Sequence, residues 1–292
     1  MISKYKGLGV ALVTPFDQDL KVDHSSLVKL VAHTLDNGLD YFVVQGTTGE
    51  SVTVAATEKI EILNTICDNN TGNKPIMFGC GGNNTKNIIA EIKSLSNQKI
   101  DSILSVCPSY NKPSQAGLIN HFKLIADNSP FPVVLYNVPG RTSVNLVAES
   151  TLELADHENI IGIKEASGDL TQCMKIAKYK PEDFMLISGD DLLTLPLISI
   201  GGVGVISVLG NWFTRSMKEI VDFGLSGRYD KARDALNSIL DINPLMYEEG
   251  NPAGIKYLLS LAGITKDYVR PSLNTISDEL KKKIKKEFDK MA

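Results

Sequence analysis

Short apolar segments rich in valine and isoleucine alternate along this chain with longer amphipathic segments. The apolar segments have the length of strands buried on both faces, and the amphipathic segments have the period of surface helices. Eight strands are predicted, at residues 9–13, 41–45, 75–80, 102–107, 132–137, 160–165, 184–188 and 203–208. Because parallel strands need a crossover connection and the helices supply it, the alternation predicts a parallel sheet covered by helices.

Eight strand–helix units in a chain of 292 residues are typical of an α/β protein of the closed (β/α)8 type, the TIM barrel. The competing architecture is an open sheet that binds a dinucleotide. It requires a Gly-x-Gly-x-x-Gly turn after the first strand, and the Gly9-Val10-Ala11 stretch does not supply one. After the eighth strand only helices are predicted, at residues 215–225, 229–246, 252–261 and 277–290. We therefore expect a catalytic barrel over residues 1–225 and a C-terminal helical segment over residues 226–292.

Composition and charge favour a small-molecule partner. The chain has 30 Lys and Arg residues against 34 Asp and Glu residues, a net charge of −4, which gives no electrostatic signature for nucleic acid or an anionic membrane. The basic run at residues 281–286 contains an isoleucine at helical spacing from a later phenylalanine, which indicates a solvated helix face. The N terminus lacks signal-peptide features and the four cysteines are scattered, so we expect a cytoplasmic protein.

Functional side chains of such barrels gather at the C-terminal ends of the strands. The end of the sixth predicted strand carries Lys164, which shares its face of the strand with Gly162 and Ala166. Glu165 lies on the opposite face with Ile163 and is interpreted as structural. Small neighbours leave the lysine amine free to reach into a cavity, where apolar walls make an amine a better nucleophile. A lone lysine on an apolar strand more commonly has its charged end in solvent and no catalytic role. Whether Lys164 is catalytic therefore depends on the residues at the other strand ends.

Those strand ends carry hydroxyls, phenols and a guanidinium. Thr47 and Thr48 follow the second strand, Tyr110 follows the fourth, Tyr136 lies at the end of the fifth, and Arg141 comes shortly after it. A phenol can transfer a proton, and an arginine can bind a carboxylate through two parallel hydrogen bonds. These groups are the ones that a lysine needs for chemistry on a keto acid.

No metal site is predicted. The four histidines fall in or beside predicted helices without ligand spacing, and Asp190-Asp191 after the seventh strand is more typical of a capping turn than of a cation site. A lysine, two tyrosines, two threonines and an arginine without a metal suggest carbonyl chemistry through an imine. The lysine would condense with the keto acid, and the imine would act as the electron sink, so that no separate cofactor is expected.

These residues lie in motifs that resemble those of the pyruvate-dependent class I aldolases, the family that includes N-acetylneuraminate lyase. The resemblance runs from about residue 9 to residue 271. It rests on the motifs Gly46-Thr47-Thr48-Gly49-Glu50-Ser51, Tyr110-Asn111-Lys112-Pro113-Ser114-Gln115, Tyr136-Asn137-Val138-Pro139-Gly140-Arg141-Thr142, Gly162-Ile163-Lys164-Glu165-Ala166, Ser188-Gly189-Asp190-Asp191 and Gly204-Val205-Ile206-Ser207.

The resemblance implies a role for each candidate residue. Lys164 would form the Schiff base with pyruvate, and Tyr136 would be the acid and base. Thr47 would link Tyr136 in a proton relay to Tyr110 of the neighbouring subunit. The set that would bind substrate consists of Thr48 and the Ile206 backbone for pyruvate and Arg141 for the carboxylate of aspartate semialdehyde.

Within that family, the resemblance implies a lyase that condenses pyruvate with L-aspartate 4-semialdehyde to 4-hydroxy-tetrahydrodipicolinate, the first committed step of lysine and diaminopimelate biosynthesis. It also implies a homotetramer built from two tight dimers. The alternatives are an aldolase acting on N-acetylneuraminate or 2-keto-3-deoxy sugar acids and an inactive keto-acid-binding relative. Arg141 favours the first activity, because a small charged aldehyde needs a carboxylate-binding group whereas a polyol needs neutral hydrogen-bonding groups.

The chain departs from the family pattern at the site where lysine inhibits some members. Asn83 matches that pattern, whereas the other four positions differ: they are Ala56, Lys59, Asn87 and Ser109. The acidic group that would pair with the α-amine of lysine is missing, and Lys59 adds a like charge. We therefore expect weak inhibition by L-lysine or none.

Overall fold

Eight parallel strands close into a barrel in the order in which they occur along the chain. The computed structural model describes residues 2–291. The strands are β1 (Gly7–Ala11), β2 (Tyr41–Val44), β3 (Ile76–Gly79), β4 (Ser102–Val106), β5 (Val133–Asn137), β6 (Ile160–Glu165), β7 (Met185–Ser188) and β8 (Gly204–Ser207). β8 pairs with β1 and closes the sheet. The predicted (β/α)8 barrel is therefore confirmed.

Helices follow the strands and cover the barrel. They are α1 (His24–Asp36), α2 (Ala56–Asn69), α3 (Thr85–Ser94), α4 (Gln115–Asn128), α5 (Pro139–Thr142), α6 (Ala148–Ala155), α7 (Leu170–Tyr179), α8 (Thr194–Ser199), α9 (Thr214–Leu225), α10 (Tyr229–Ile239), α11 (Ala253–Leu261) and α12 (Asp278–Met291). None of those between residues 2 and 291 combines the length and apolar character that a membrane span needs.

The strands bury side chains on both faces. Residues facing inwards, such as Tyr41, Met77 and Leu104, form one cluster inside the barrel. Residues facing outwards, such as Phe42 and Ile103, belong to a larger cluster between sheet and helices. Burial on both faces explains why the strands are nearly continuous apolar runs, the pattern on which their prediction depended.

Two predicted elements differ from the structure by two residues or more at an end. β1 begins at Gly7, two residues before the predicted start, and ends at Ala11. The helix predicted at 229–246 ends as α10 at Ile239, and a separate 3₁₀ helix follows at Pro244–Met246. The physical reason is Pro244, which cannot donate a backbone hydrogen bond inside a helix and clashes with the preceding turn.

The C-terminal helices pack on the barrel through the larger cluster. Leu258 of α11 and Leu280 and Ile284 of α12 are buried in it together with the outward-facing strand residues. Because one hydrophobic cluster runs across residue 225, the division into residues 1–225 and 226–292 stays a prediction. The lysines of α12 around the buried Ile284 lie mostly on its solvent side, in agreement with the interpretation of the basic run.

Candidate active site

Lys164 lies near the C-terminal end of β6 with its side chain inside the barrel, where it is 5% exposed. Two glycines near it lie where a larger residue would meet close neighbours. A Cβ atom at Gly162 would lie 2.8 Å from Met185, and one at Gly189, just after β7, would lie 3.1 Å from Cε of Lys164. The first distance leaves no room for a side chain beside Met185, and the second is tighter than an ordinary contact, so a residue larger than glycine at position 189 would press on the Lys164 side chain. No role was expected for Gly189 from the sequence.

Tyr136 is the immediate neighbour of Lys164. The two residues are register partners on β5 and β6, and the lysine Nζ lies 4.3 Å from the centroid of the tyrosine ring. Tyr136 is 7% exposed and belongs to the interior cluster together with Ile187 and Ile206. The structure thus brings together an amine and a phenol in an apolar surround, the arrangement needed for imine formation with acid–base assistance.

Thr47 and Thr48 lie in a tight turn after β2. A 3₁₀ helix spans Thr47–Gly49, and the residues at either end of the turn, Gln45 and Glu50, have φ values of 59° and 54°. Thr47 is half-buried and lines a cavity, while Thr48 is buried and its hydroxyl accepts a hydrogen bond of 3.1 Å from the side-chain amide of Asn251.

Arg141 is exposed on the short helix α5, directly after β5. Its Nη2 atom donates to the backbone carbonyl of Asn251 at 3.5 Å. Asn251 therefore contacts both Thr48 and Arg141. Nothing in the sequence identifies Asn251 as a site residue, because it lies in the C-terminal segment, more than one hundred residues from either partner.

A cavity of about 550 Å³ opens beside these groups. Its lining includes Thr47, Tyr136 and Arg141, and it extends towards Lys59 and Ser109. The remaining predicted residues do not line it: Lys164, Thr48 and Ile206 are buried beneath the surface, and Tyr110 lies outside. The cavity thus joins the tyrosine to the arginine, with room for a small charged substrate.

Tyr110 stands apart from the other candidates. Its side chain is 91% exposed, and it lies in a loop where Tyr110 and Lys112 have φ values of 69° and 45°. Residues other than glycine rarely adopt such values, so the backbone of this loop has an unusual conformation. An exposed phenol of this kind is available to a neighbouring subunit.

The acidic residues near the site have structural partners. The Glu165 carboxylate accepts from the side-chain amides of Asn137, at 3.1 and 3.2 Å, and Gln172, at 2.9 Å. This places it on the outer face of β6, as interpreted from the sequence. Asp190 caps the turn after β7, accepting from the backbone N–H groups of residues 192 and 193.

Asp191 is buried beside the end of β8. Its Oδ2 atom accepts from the backbone N–H groups of Val208, at 3.2 Å, and Leu209, at 2.9 Å. Burial raises the pKa of this carboxyl to about 6, against the hydrogen bonds that it accepts. Among residues 2–291, no cluster of three or more His, Cys, Asp or Glu side chains has a geometry suited to a metal ion.

A TIM barrel with a buried lysine beside a tyrosine ring, under a cavity that carries an arginine, defines the class of Schiff-base-forming lyases. Comparison with known proteins specifies the family. Residues 4–291 match the Dihydrodipicolinate synthetase family, and the chain belongs to it. The predicted resemblance and the prediction of a lyase are thereby confirmed.

Individual relatives agree with this assignment. The chain is 47% identical over 280 residues to the 4-hydroxy-tetrahydrodipicolinate synthase of Cytophaga hutchinsonii, covering 96% of this chain and 94% of the relative. It superposes on the dihydrodipicolinate synthase of Thermotoga maritima with a TM-score of 0.96 at 33% identity, covering 98% of both chains. It is also similar to the chloride-inhibited dihydrodipicolinate synthase of Acinetobacter baumannii complexed with pyruvate, with a TM-score of 0.95, 32% identity and coverage of 97% and 98%.

Proposed function

We propose that this protein condenses pyruvate with L-aspartate 4-semialdehyde to give 4-hydroxy-tetrahydrodipicolinate and water. The observation that carries the proposal is the buried Lys164 amine over the Tyr136 ring in a chain of this family. The reaction is the first committed step of lysine and diaminopimelate biosynthesis. The Acinetobacter relative with pyruvate bound supports the identity of the first substrate.

The Lys164 amine attacks C2 of pyruvate, and the carbonyl oxygen leaves as water with one proton from the amine and one from the Tyr136 hydroxyl, which gives an iminium and a tyrosinate. Loss of a C3 proton to Tyr136 then gives an enamine, because the iminium accepts the electron pair of the broken C–H bond. The enamine carbon attacks the aldehyde carbon of the semialdehyde, whose oxygen takes up a proton from Tyr136 and becomes the 4-hydroxyl group. The substrate amino group finally attacks C2, closes the ring and releases the Lys164 amine.

The remaining residues bind substrate and move protons. Thr47, at the cavity wall, connects Tyr136 with Tyr110 of the neighbouring subunit in the relay. Thr48 and the Ile206 backbone hold the pyruvate carboxylate close to β2 and β8. Arg141, exposed in the same cavity, receives the carboxylate of the semialdehyde. The imine on Lys164 supplies the electron sink, so no further cofactor takes part.

The active assembly is a homotetramer built from two tight dimers, and its location is the cytoplasm. The exposure of Tyr110, at 91%, supports the dimer, because a relay residue facing away from its own barrel needs a second subunit to complete the site. Four free cysteines, three of them buried, support a reducing compartment.

A comparison of substrates tests this function. Purified protein is incubated with pyruvate and aspartate semialdehyde, or separately with N-acetylneuraminate and with 2-keto-3-deoxy sugar acids, and pyruvate is quantified over time. We expect rapid pyruvate consumption only with the semialdehyde. Release of pyruvate from a sugar acid at a comparable rate would assign the protein to a sister activity instead.

A further inference from the structure

The turn that carries Thr47 and Thr48 is held from outside the barrel. Within the turn, the backbone N–H groups of Gly49 and Glu50 bond to the carbonyls of Gly46 and Thr47. Gln45 and Glu50, at the two ends of the turn, both have left-handed backbone conformations. Such conformations cost free energy and persist only where the surrounding structure holds them. Something beyond the local hydrogen bonds must therefore stabilise this turn.

The Glu50 side chain provides that connection. It is 1% exposed and forms an ion pair with Lys256 of α11, whose own side chain is 0% exposed. The second Glu50 oxygen accepts from the backbone N–H of Arg270 at 3.0 Å. Both oxygens of the carboxylate are thus bound by the C-terminal segment, over two hundred residues away in sequence.

Lys256 is equally constrained. Its Nζ atom also donates to the carbonyl of Tyr268 at 2.8 Å and lies 4.1 Å from the centroid of the Phe16 ring. Burial lowers the pKa of this amine to about 8, while the Glu50 carboxylate favours its charged form. The ammonium group is therefore charged near neutral pH and has partners on three sides.

Asn251, in the same C-terminal segment, makes a second contact with the turn. Its side-chain amide donates to the Thr48 hydroxyl, and it lies five residues before Lys256, just ahead of α11. The segment from Asn251 to Lys256 therefore contacts the turn at Thr48 and at Glu50. Together with the Thr14 hydroxyl, which donates to the Gly49 carbonyl at 2.6 Å, these contacts hold the turn that carries both threonines.

A buried ion pair is an inefficient way to gain stability. Removing two charges from water costs about as much as their attraction returns, and a well-packed apolar pair often stabilises as much or more. What the pair supplies is a fixed geometry, because a charged oxygen has directional partners and an apolar side chain does not. Because the pair lies next to the turn that carries Thr47 and Thr48, a fixed geometry of the pair also fixes that turn.

We propose that Glu50 and Lys256 are positioning residues, which orient Thr47 and Thr48 for pyruvate binding and proton relay. This inference rests on the proposed function. The C-terminal segment is thereby part of the active site, although it contributes no group to the reacting atoms. The pair acts through the threonines and not through Lys164, which lies on a different strand.

The test uses the full-length protein with Lys256→Met, Glu50→Gln and the double variant. The control is Lys218→Met, which removes the ion pairs of a half-buried lysine with Asp222 and with Asp40, the latter at the opposite end of β2. We expect kcat/KM for pyruvate to fall about tenfold or more in the three test variants, since a misplaced binding group costs rate even when the chemistry is intact. Lys218→Met should retain the wild-type value. Borohydride trapping of pyruvate on Lys164 at saturating pyruvate should still reach completion in every variant.

Combination with Thr48→Val separates positioning from general damage. If the pair acts through the threonine turn, Lys256→Met lowers kcat/KM for pyruvate much less in the Thr48→Val background than in the wild type. Equal losses in both backgrounds would overturn the proposal. Wild-type kcat/KM in folded Lys256→Met or Glu50→Gln would overturn it as well.

Two further outcomes are decisive. Should Lys256→Met not fold, Glu50→Gln, which keeps the shape of the side chain, provides the same comparison. Failure of all three variants to fold, the neutral double variant included, would make the pair a structural requirement and contradict the positioning role. An inactive wild-type protein that traps no pyruvate would instead refute the proposed function, so the two failures are distinguishable.

Discussion

The Lys164 amine and the Tyr136 ring are held 4.3 Å apart, centroid to Nζ, by the direct pairing of β5 with β6. Adjacent strands of one closed sheet fix this relationship, so it does not depend on a mobile loop. Gly189 on the next strand end leaves the space that the lysine needs. The geometry places the proposed nucleophile and the proposed proton carrier on two paired strands of the closed barrel.

Arg141→Ala tests how the second substrate is recognised. Because the guanidinium is exposed in the cavity and not part of the core, we expect the fold to be kept. Loss of its pairing with the semialdehyde carboxylate should raise the activation free energy by about 2 kcal/mol, which lowers kcat/KM for that substrate roughly thirtyfold. Arg141→Lys keeps the charge but not the two-point contact. Its kcat/KM should therefore lie between those of the wild type and Arg141→Ala. Trapping of pyruvate should be unchanged in both, and its loss would indicate a structural role for Arg141.

Subunit complementation tests whether Tyr110 is donated by a neighbour. Tyr110→Phe and Lys164→Ala are each expected to be impaired when assembled alone. A mixed dimer of the two has one site that carries both lesions and one that carries neither, and should recover roughly half the wild-type activity. The assay is turnover of co-expressed chains purified through two different tags. Activity no higher than the mean of the two parents would mean that Tyr110 serves its own chain.

L-Lysine is expected to inhibit weakly or not at all. Lys59 lies in the cavity with its amine 2.8 Å from Glu91, so this carboxylate is already paired. Asn83, the one residue that matches inhibited relatives, is bonded through both side-chain atoms to the backbone of Ser109. Initial rates with increasing lysine provide the measurement. Inhibition at submillimolar concentration would contradict this expectation, and Lys59→Ala would then show whether the amine takes part.

Asp191→Asn tests the electrostatics of the buried carboxyl. Its pKa is raised in the folded state from 3.8 to about 6 by burial, so the stability that protonation contributes is present at low pH and lost as the pH rises through 6. The amide has no such titration. The free energy of unfolding of the variant, relative to that of the wild type, should therefore rise by about 1 kcal/mol between about pH 5 and pH 7. Urea unfolding at equal subunit concentration measures it, and parallel pH profiles of the two proteins would refute the shift.

The barrel could be predicted from sequence because its strands are buried on both faces and its connections are helical. The apolar runs are therefore easy to recognise, and the ends of the predicted strands indicate Lys164 and Tyr136 as candidate site residues. Element ends were less predictable. The helix predicted through residue 246 stops at Ile239, because Pro244 interrupts a pattern that remains apolar beyond it.

Part of the site could not be predicted because it depends on contacts between distant segments. Nothing around Asn251 or Lys256 indicates that α11 docks against the turn after β2, since both residues look like ordinary members of a helical region. Gly189 was similarly inconspicuous, because the need for its missing side chain arises only when Lys164 lies beside it. The role proposed for Tyr110 rests on the family resemblance, because its side chain is exposed and the geometry of its own chain does not place it with the other candidates.

Mass analysis after borohydride reduction tests the central claim most directly. Protein incubated with pyruvate and borohydride is digested, and the peptide containing Lys164 is compared with that from protein reduced without pyruvate. We expect the mass of one reduced pyruvate adduct at Lys164, and neither an adduct nor turnover in Lys164→Ala. An unmodified Lys164 in active protein, or undiminished activity in Lys164→Ala, would contradict it.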